Sequence, residues 1–126
     1  MSDPNLIVLY VDKPSASMAF YTSLLGRPPV ESSPNFAMFA LPSGMMLGMW
    51  ARGDVKPPAP TGAGTAELCF PADGADAVRR THAEWSGKGV KIAQAPVQMD
   101  FGWTFCALDP DGHRLRVIAP TPPPAA

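Results

Sequence analysis

The sequence predicts an α+β fold made of one βαβββ module used twice. Two observations carry this. The order strand, helix, hairpin occurs once in each half of the chain. A stretch rich in Pro, Gly and Ala, residues 52–64, separates the two occurrences. At 126 residues the chain is long enough for one domain with a real core. The expected organisation is a single domain over 1–126, with modules at 5–51 and 65–120 joined by that linker.

The elements follow in order. Leu6 to Val11 is an aliphatic strand. Ser15 to Leu25 is a helix with Met18, Tyr21, Leu24 and Leu25 at core spacing and Gly26 as its stop. Ser15 and Ser17 read as helix-start residues that cap rather than react. A short strand marked by Pro28-Pro29 precedes the hairpin of Asn35 to Leu41 and Met45 to Trp50, which turns at Pro42-Ser43-Gly44. In the second half Glu67 to Phe70 is a strand. Ala75 to Gly87 is a helix that turns Val78, Thr81 or His82, and Trp85 inward. Val90 to Ala93 is a short strand. Phe101 to Leu108 and His113 to Ile118 form a last hairpin around Asp109-Pro110-Asp111-Gly112, and the Pro-rich tail after Pro120 is expected to fray.

Composition narrows the function classes. Hydrophobic residues make up 46% and charged residues 17%, as in soluble globular domains. A net charge of −1 gives no electrostatic footprint for nucleic acid or an acidic membrane. No apolar run reaches transmembrane length, and Met-Ser-Asp-Pro is not a signal peptide, so the expected location is the cytoplasm. Cys69 and Cys106 read as free core thiols inside strands, with a disulfide as the alternative, and neither has the spacing of a zinc site. The sixteen prolines cluster in connections rather than in element interiors. There is no Gly-x-Ser-x-Gly, phosphate-binding glycine loop, Cys-x-x-Cys or His-x-x-x-His. No residue is assigned as catalytic, as a metal ligand or as a cofactor contact.

The last hairpin supplies the first candidate site. Alternation puts Phe101, Trp103, Phe105 and Ala107 on one face. With Leu108 opposite His113, Phe105 falls opposite Arg116 and Trp103 opposite Ile118. In that register the aromatic face also carries Arg114 and Arg116. A core face would exclude arginine, so this face is expected to receive a flat, polar-edged molecule.

The order of elements, together with Val11-Asp-Lys-Pro-Ser-Ala-Ser-Met-Ala-Phe-Tyr21, Leu25-Gly26 and Asp109-Pro-Asp-Gly112, resembles the vicinal oxygen chelate superfamily over about residues 5 to 120. That group includes glyoxalase I, bleomycin-resistance proteins and extradiol dioxygenases. The resemblance implies paired βαβββ modules whose mixed sheets curl around a cup, and a homodimer. Its enzymes hold a divalent metal with His, His and Glu. Those positions, with one further carboxylate position, fall here on Leu6, Glu67 or its neighbour, Arg116 and near Gly48. Only Glu67 among them could bind a metal, and Arg116 would repel one.

Within the superfamily, Asn5-Leu6, Tyr10-Val11, Phe20-Tyr21, Pro29-Val30, Phe39 to Gly44, Trp50, Pro96, Phe101-Gly102, Thr104-Phe105 and Asp109 to His113 followed by Arg116-Val117 resemble the metal-free phenazine-antibiotic-binding resistance proteins. This implies sequestration of a planar aromatic antibiotic-like molecule, of phenazine or quinoxaline type, giving resistance or self-protection. The alternatives are a lyase, isomerase or dioxygenase of the same superfamily, or a carrier of a biosynthetic intermediate.

Each candidate residue has two readings. Trp50 either fills a strand end or is a stacking platform. Trp103 and Phe105 line either the cup or the helix side, with the arginines favouring the cup; Phe101, at the strand end, is a weaker case. Arg116 pairs with Glu67 or Asp100, or donates to a ligand carboxylate or quinone oxygen. Glu67 accepts from a ligand or, in an apolar cup with a raised pKa, acts as a base. Tyr10 alternates with Leu6 and Val8 toward the cup. Met46 and Gly48 share the Trp50 face, where Gly48 leaves room for a ring. Met38, Met45 and Met49 divide between core and pocket wall. His113 points to the helix side and caps the hairpin, and His82 lies on a helix flank.

Overall fold

The computed structural model describes residues 5–56, 58 and 67–121. The chain forms two compact units, Met1–Ala63 and Gly64–Ala126, each with its own four-stranded sheet and helix. Most of the expected linker, the start Met1 to Pro4 and the tail beyond Thr121 lie outside the described residues. The described part of the linker is a short 3-10 turn, Arg52–Asp54, followed by a buried Val55.

The first unit contains β1 (Leu6–Val11), α1 (Pro14–Leu25), β2 (Glu31–Ser33), β3 (Phe36–Ala40) and β4 (Met46–Ala51). The sheet order is β1-β4-β3-β2. The β1–β4 pair is parallel and the others are antiparallel. Such a parallel pair requires a long crossover, which the helix and the β2–β3 hairpin provide. Pro14 opens α1, where its missing N–H costs nothing. Val11, Ala37, Phe39, Leu47 and Met49 are buried on the side where α1 packs. Tyr21 of α1 is fully buried and meets Phe39. The expectation that Ser17 caps the helix is corrected. It lies a turn inside α1 and is fully buried, and its Oγ finds no hydrogen-bond partner among the described residues.

The second unit repeats the plan with β5 (Glu67–Pro71), α2 (Ala75–Gly87), β6 (Lys91–Met99), β7 (Gly102–Leu108) and β8 (Arg114–Pro120), in sheet order β5-β8-β7-β6. β6 is much longer than the expected Val90–Ala93. It runs on to Met99 through register shifts between Ile92 and Gln94 and between Gln94 and Val97. As an edge strand it tolerates Pro96, which has no N–H to give a ladder. At the β6–β7 turn, Gly102 sits at φ 145°, and a side chain there would collide with the Ala119 carbonyl. The Phe-Gly pair at 101–102 therefore reflects close strand approach.

The register of the last hairpin differs from the expected one by one residue. Cys106, not Phe105, faces Arg116, and Thr104 faces Ile118. The cause is the turn. Asp109 pairs with His113 through Asp109 N–H to the His113 carbonyl, 3.0 Å, leaving three residues in the loop. Gly112 takes φ 87° and donates to the Asp109 carbonyl, 3.0 Å, the turn-plus-left-handed-residue arrangement of three-residue hairpins. The buried Asp109 carboxylate accepts from the N–H groups of Asp111, 2.9 Å, and His113, 2.8 Å, and bonds His113 Nδ1 at 2.9 Å. A one-residue change of register reverses which side chains share a face.

Candidate functional site

In the first unit, the sheet face away from α1 carries Leu6, Val8 and Tyr10 from β1 and Met46, Gly48 and Trp50 from β4. Leu6 pairs with Met46, Val8 with Gly48 and Tyr10 with Trp50. Phe36, Met38 and Ala40 of β3 continue the same face, with Phe36 beside Trp50. The expected grouping of Tyr10, Met46, Gly48 and Trp50 is therefore present. Leu6 is 44% exposed and Tyr10 40%, while Trp50 and Phe36 are half-buried. The ring that approaches Gly48 belongs to the protein itself: a Cβ at Gly48 would stand 3.0 Å from Phe36 Cζ. Phe36 was not singled out from the sequence, although its place two residues before Met38 put it on this face. Met49 belongs to the core, whereas Met38 and Met46 share the Trp50 face.

In the second unit, the corrected register sends the aromatic residues of β7 to the helix side. Phe105 is fully buried, with its ring 5.3 Å from Trp85 and 5.4 Å from His82, both of α2. Trp103, on the same face, lies under the Arg79 guanidinium of α2. Phe101 precedes β7 in the turn and is 42% exposed. Phe105 and Trp103 thus do not share a face with Arg116. The puzzle of arginines among core aromatics dissolves, because Leu115, Val117 and Ala119 are the β8 residues buried beside them.

The opposite face of this sheet is polar. Arg116 stands between Cys69 of β5 and Cys106 of β7. Its Nε donates to Glu67 Oε1 at 2.9 Å and its Nη2 to Glu67 Oε2 at 3.0 Å. Its Nη1 donates to Gln94 Oε1 at 3.2 Å and Thr104 Oγ1 at 3.4 Å. Thr104 is itself fully buried and donates to the Val117 carbonyl at 2.8 Å. Arg114 lies 3.8 Å from Glu67 Oε2 with its side chain 61% exposed. Neither Gln94 nor Thr104 was singled out from the sequence as a partner of Arg116. The wrong register hid Thr104, and the expected β6 ended before Gln94.

Electrostatics follow the geometry. The Arg116 hydrogen bond, opposed by partial desolvation, holds the Glu67 carboxyl below its usual range, and Glu67 in turn raises Arg116. The expectation of a Glu67 base with a raised pKa is thereby corrected: paired at both oxygens with a cation, it is a poor proton acceptor at neutral pH. The same pairing bears on a metal. Glu67 has both oxygens committed to a guanidinium, and Arg116 is permanently charged. The donor set on this face does not fit a divalent cation. Asp109, Asp111 and His113 also bring ligand-type atoms within 4.8 Å of one another. Asp109 spends both its oxygens there on the turn.

The sequence profile of the glyoxalase/bleomycin resistance protein/dioxygenase superfamily matches residues 4–117. The chain belongs to this superfamily. The phenazine antibiotic resistance protein of Enterobacter agglomerans is 26% identical over 117 residues, covering 90% of this chain and 89% of that protein. A protein of Agrobacterium tumefaciens known from a solution NMR structure is 48% identical, with a TM-score of 0.87 over 97% of this chain and all of that one, 100%. The lactoylglutathione lyase of the same species shares the superfamily fold at 20% identity, with a TM-score of 0.75 over 94% of each chain.

Proposed function

We propose that this chain binds and sequesters a planar aromatic small molecule of phenazine or quinoxaline type, without a metal and without turning it over. The observation that carries the reading is the solvent-accessible face of Tyr10, Phe36, Met46 and Trp50 on the first sheet. An apolar aromatic face left open on a sheet is a binding surface by default. Stacking on such rings contributes about 0.5–1.5 kcal/mol per contact beyond burial. The distant relationship to a phenazine antibiotic resistance protein supports the ligand class. The commitment of Glu67 to Arg116 speaks against general-base or metal-assisted turnover in the second unit.

A homodimer in the cytoplasm is part of the same reading. Leu6, Ile7 and Tyr10 of the edge strand β1 are exposed apolar residues that association would cover. Among the described residues no helix is long and apolar enough to cross a membrane.

The test is titration of the purified protein with phenazine and with quinoxaline, followed by tryptophan fluorescence and by chromatography of the recovered ligand. The expected result is saturable quenching with a dissociation constant on the order of micromolar, −8 kcal/mol, and unchanged ligand. Trp50→Ala should abolish most of the quenching and weaken binding at least tenfold. Unchanged fluorescence in the wild type, or chemical conversion of the ligand, would overturn the proposal. Light scattering of the same sample reports the dimer.

A further inference from the structure

We infer that Arg116 is a stacking plate rather than a hydrogen-bonding fork: four of its five N–H groups are held by Glu67, Gln94 and Thr104, and the surface left for a ligand is chiefly its planar face. This rests on the proposed aromatic-binding role and concerns the polar face of the second sheet alone.

A guanidinium has five N–H donors. The Nε–H, one Nη2–H and both Nη1–H groups point to protein acceptors on three other strands: Glu67 on β5, Thr104 on β7 and Gln94 on β6. The bidentate match to a carboxylate, the usual reason for an arginine in a ligand site, is consumed within the protein. A ligand carboxylate could take the fork only by evicting Glu67. The guanidinium plane is fixed by partners on opposite sides, since β5 and β6 are the two edges of this sheet. The arginine side chain retains 13% exposure. A planar cation immobilised in this way is preorganised to lie against the face of an aromatic ring, with little side-chain entropy left to lose on binding.

Gln94 and Thr104 are then positioning residues. They touch Arg116 and set its plane. The chemical class of ligand follows: a planar aromatic ring system whose recognition does not depend on a carboxylate.

The experiment has two arms. In the first, neutral phenazine and phenazine-1-carboxylate are titrated against wild type and Arg116→Lys, which keeps the charge and loses the plane. The expected result is wild-type affinities for the two compounds within about threefold, and at least a tenfold loss for both in the lysine variant. A carboxylate preference above tenfold that the lysine variant abolishes would overturn the inference in favour of a fork. So would a lysine variant that binds like wild type.

The second arm needs no ligand, so it separates failure of the plate from failure of the sequestration reading. The Arg116 Nε–H resonance is followed by ¹⁵N NMR at neutral pH, with the exposed Arg114 as internal reference. A plate gives a sharp, slowly exchanging Arg116 signal that broadens in Gln94→Ala and vanishes in Glu67→Gln, while backbone spectra stay folded. An Arg116 signal that exchanges as fast as that of Arg114 would overturn the inference whatever the titrations show. If neither compound binds wild type and the signal is protected, the plate is a structural clamp only, and the inference is overturned as a ligand contact.

Discussion

The guanidinium carbon of Arg79 lies 4.7 Å from the centroid of the Trp103 ring. Because Arg79 is on α2, this contact fixes Trp103 to the helix side of the second sheet. Trp103→Ala is therefore a stability variant. Trp103 is half-buried, so the loss should be about 2 kcal/mol, below the roughly 3–5 kcal/mol of a fully buried tryptophan. Arg79→Ala should cost about 0.5–1 kcal/mol. Urea denaturation gives both values. Phenazine affinity, measured on folded protein, should be unchanged by either.

Gly48→Ala should disturb the first sheet locally. Its new Cβ would stand 3.0 Å from Phe36 Cζ, so the ring must tilt by a few tenths of an ångström. The expected cost is about 1 kcal/mol, at the low end for overpacking. The readout is a change in the emission of the adjacent Trp50 before any ligand is added. An unaltered spectrum with unaltered stability would mean that the Phe36 ring does not rest on Gly48.

Asp109→Ala removes an acceptor that holds two backbone N–H groups and the His113 ring. With the carboxylate buried, the loss should be about 2–3 kcal/mol. Asp109→Asn keeps an oxygen for the backbone and should recover part of it. Equilibrium unfolding measures the stability. The Hα–Hα contact between Cys106 and Arg116, a non-hydrogen-bonded cross-strand pair, reports whether the register survives.

Two groups contribute to the pH dependence of stability. The Asp109 hydrogen bond raises the His113 pKa above 6.5, against partial desolvation. A raised folded pKa means that the folded state holds the proton more tightly. Its contribution is full below 6.5 and is lost as pH rises through the folded value. Glu67 behaves oppositely: lowered from 4.5, it contributes above that value and loses its contribution as pH falls through the folded pKa. Denaturation midpoints measured from pH 3 to 9 should therefore fall at both ends. His113→Gln should flatten the upper limb alone, and Glu67→Gln should flatten part of the lower limb.

Much of this molecule was legible in the sequence because periodicity reports faces within a strand. Leu6, Val8 and Tyr10, and Met46, Gly48 and Trp50, were placed together correctly since each trio lies on one unbroken strand. Periodicity does not report which residue of a neighbouring strand lies opposite. The sequence pattern sets Leu108 opposite His113, whereas the Asp109 carboxylate and the left-handed Gly112 shape a three-residue loop that sets Leu108 opposite Arg114. That single step exchanged Phe105 for Cys106 opposite Arg116 and moved Trp103 across the sheet. Gln94 was missed for a different reason: alanines and Pro96 break the strand signal, and β6 persists only through irregular pairing along an edge. The partners of Arg116 therefore emerged only from geometry.

The pairing of Asp109 with His113 has a consequence for how this gene can drift. A residue lost from the loop between them would leave Cys106 opposite Arg116. A residue lost from β8 ahead of Arg116 would not: it would turn Arg116 to the helix side and away from Glu67, Gln94 and Thr104. Descendants of this chain can vary the hairpin tip far more safely than the length of the strand that follows it.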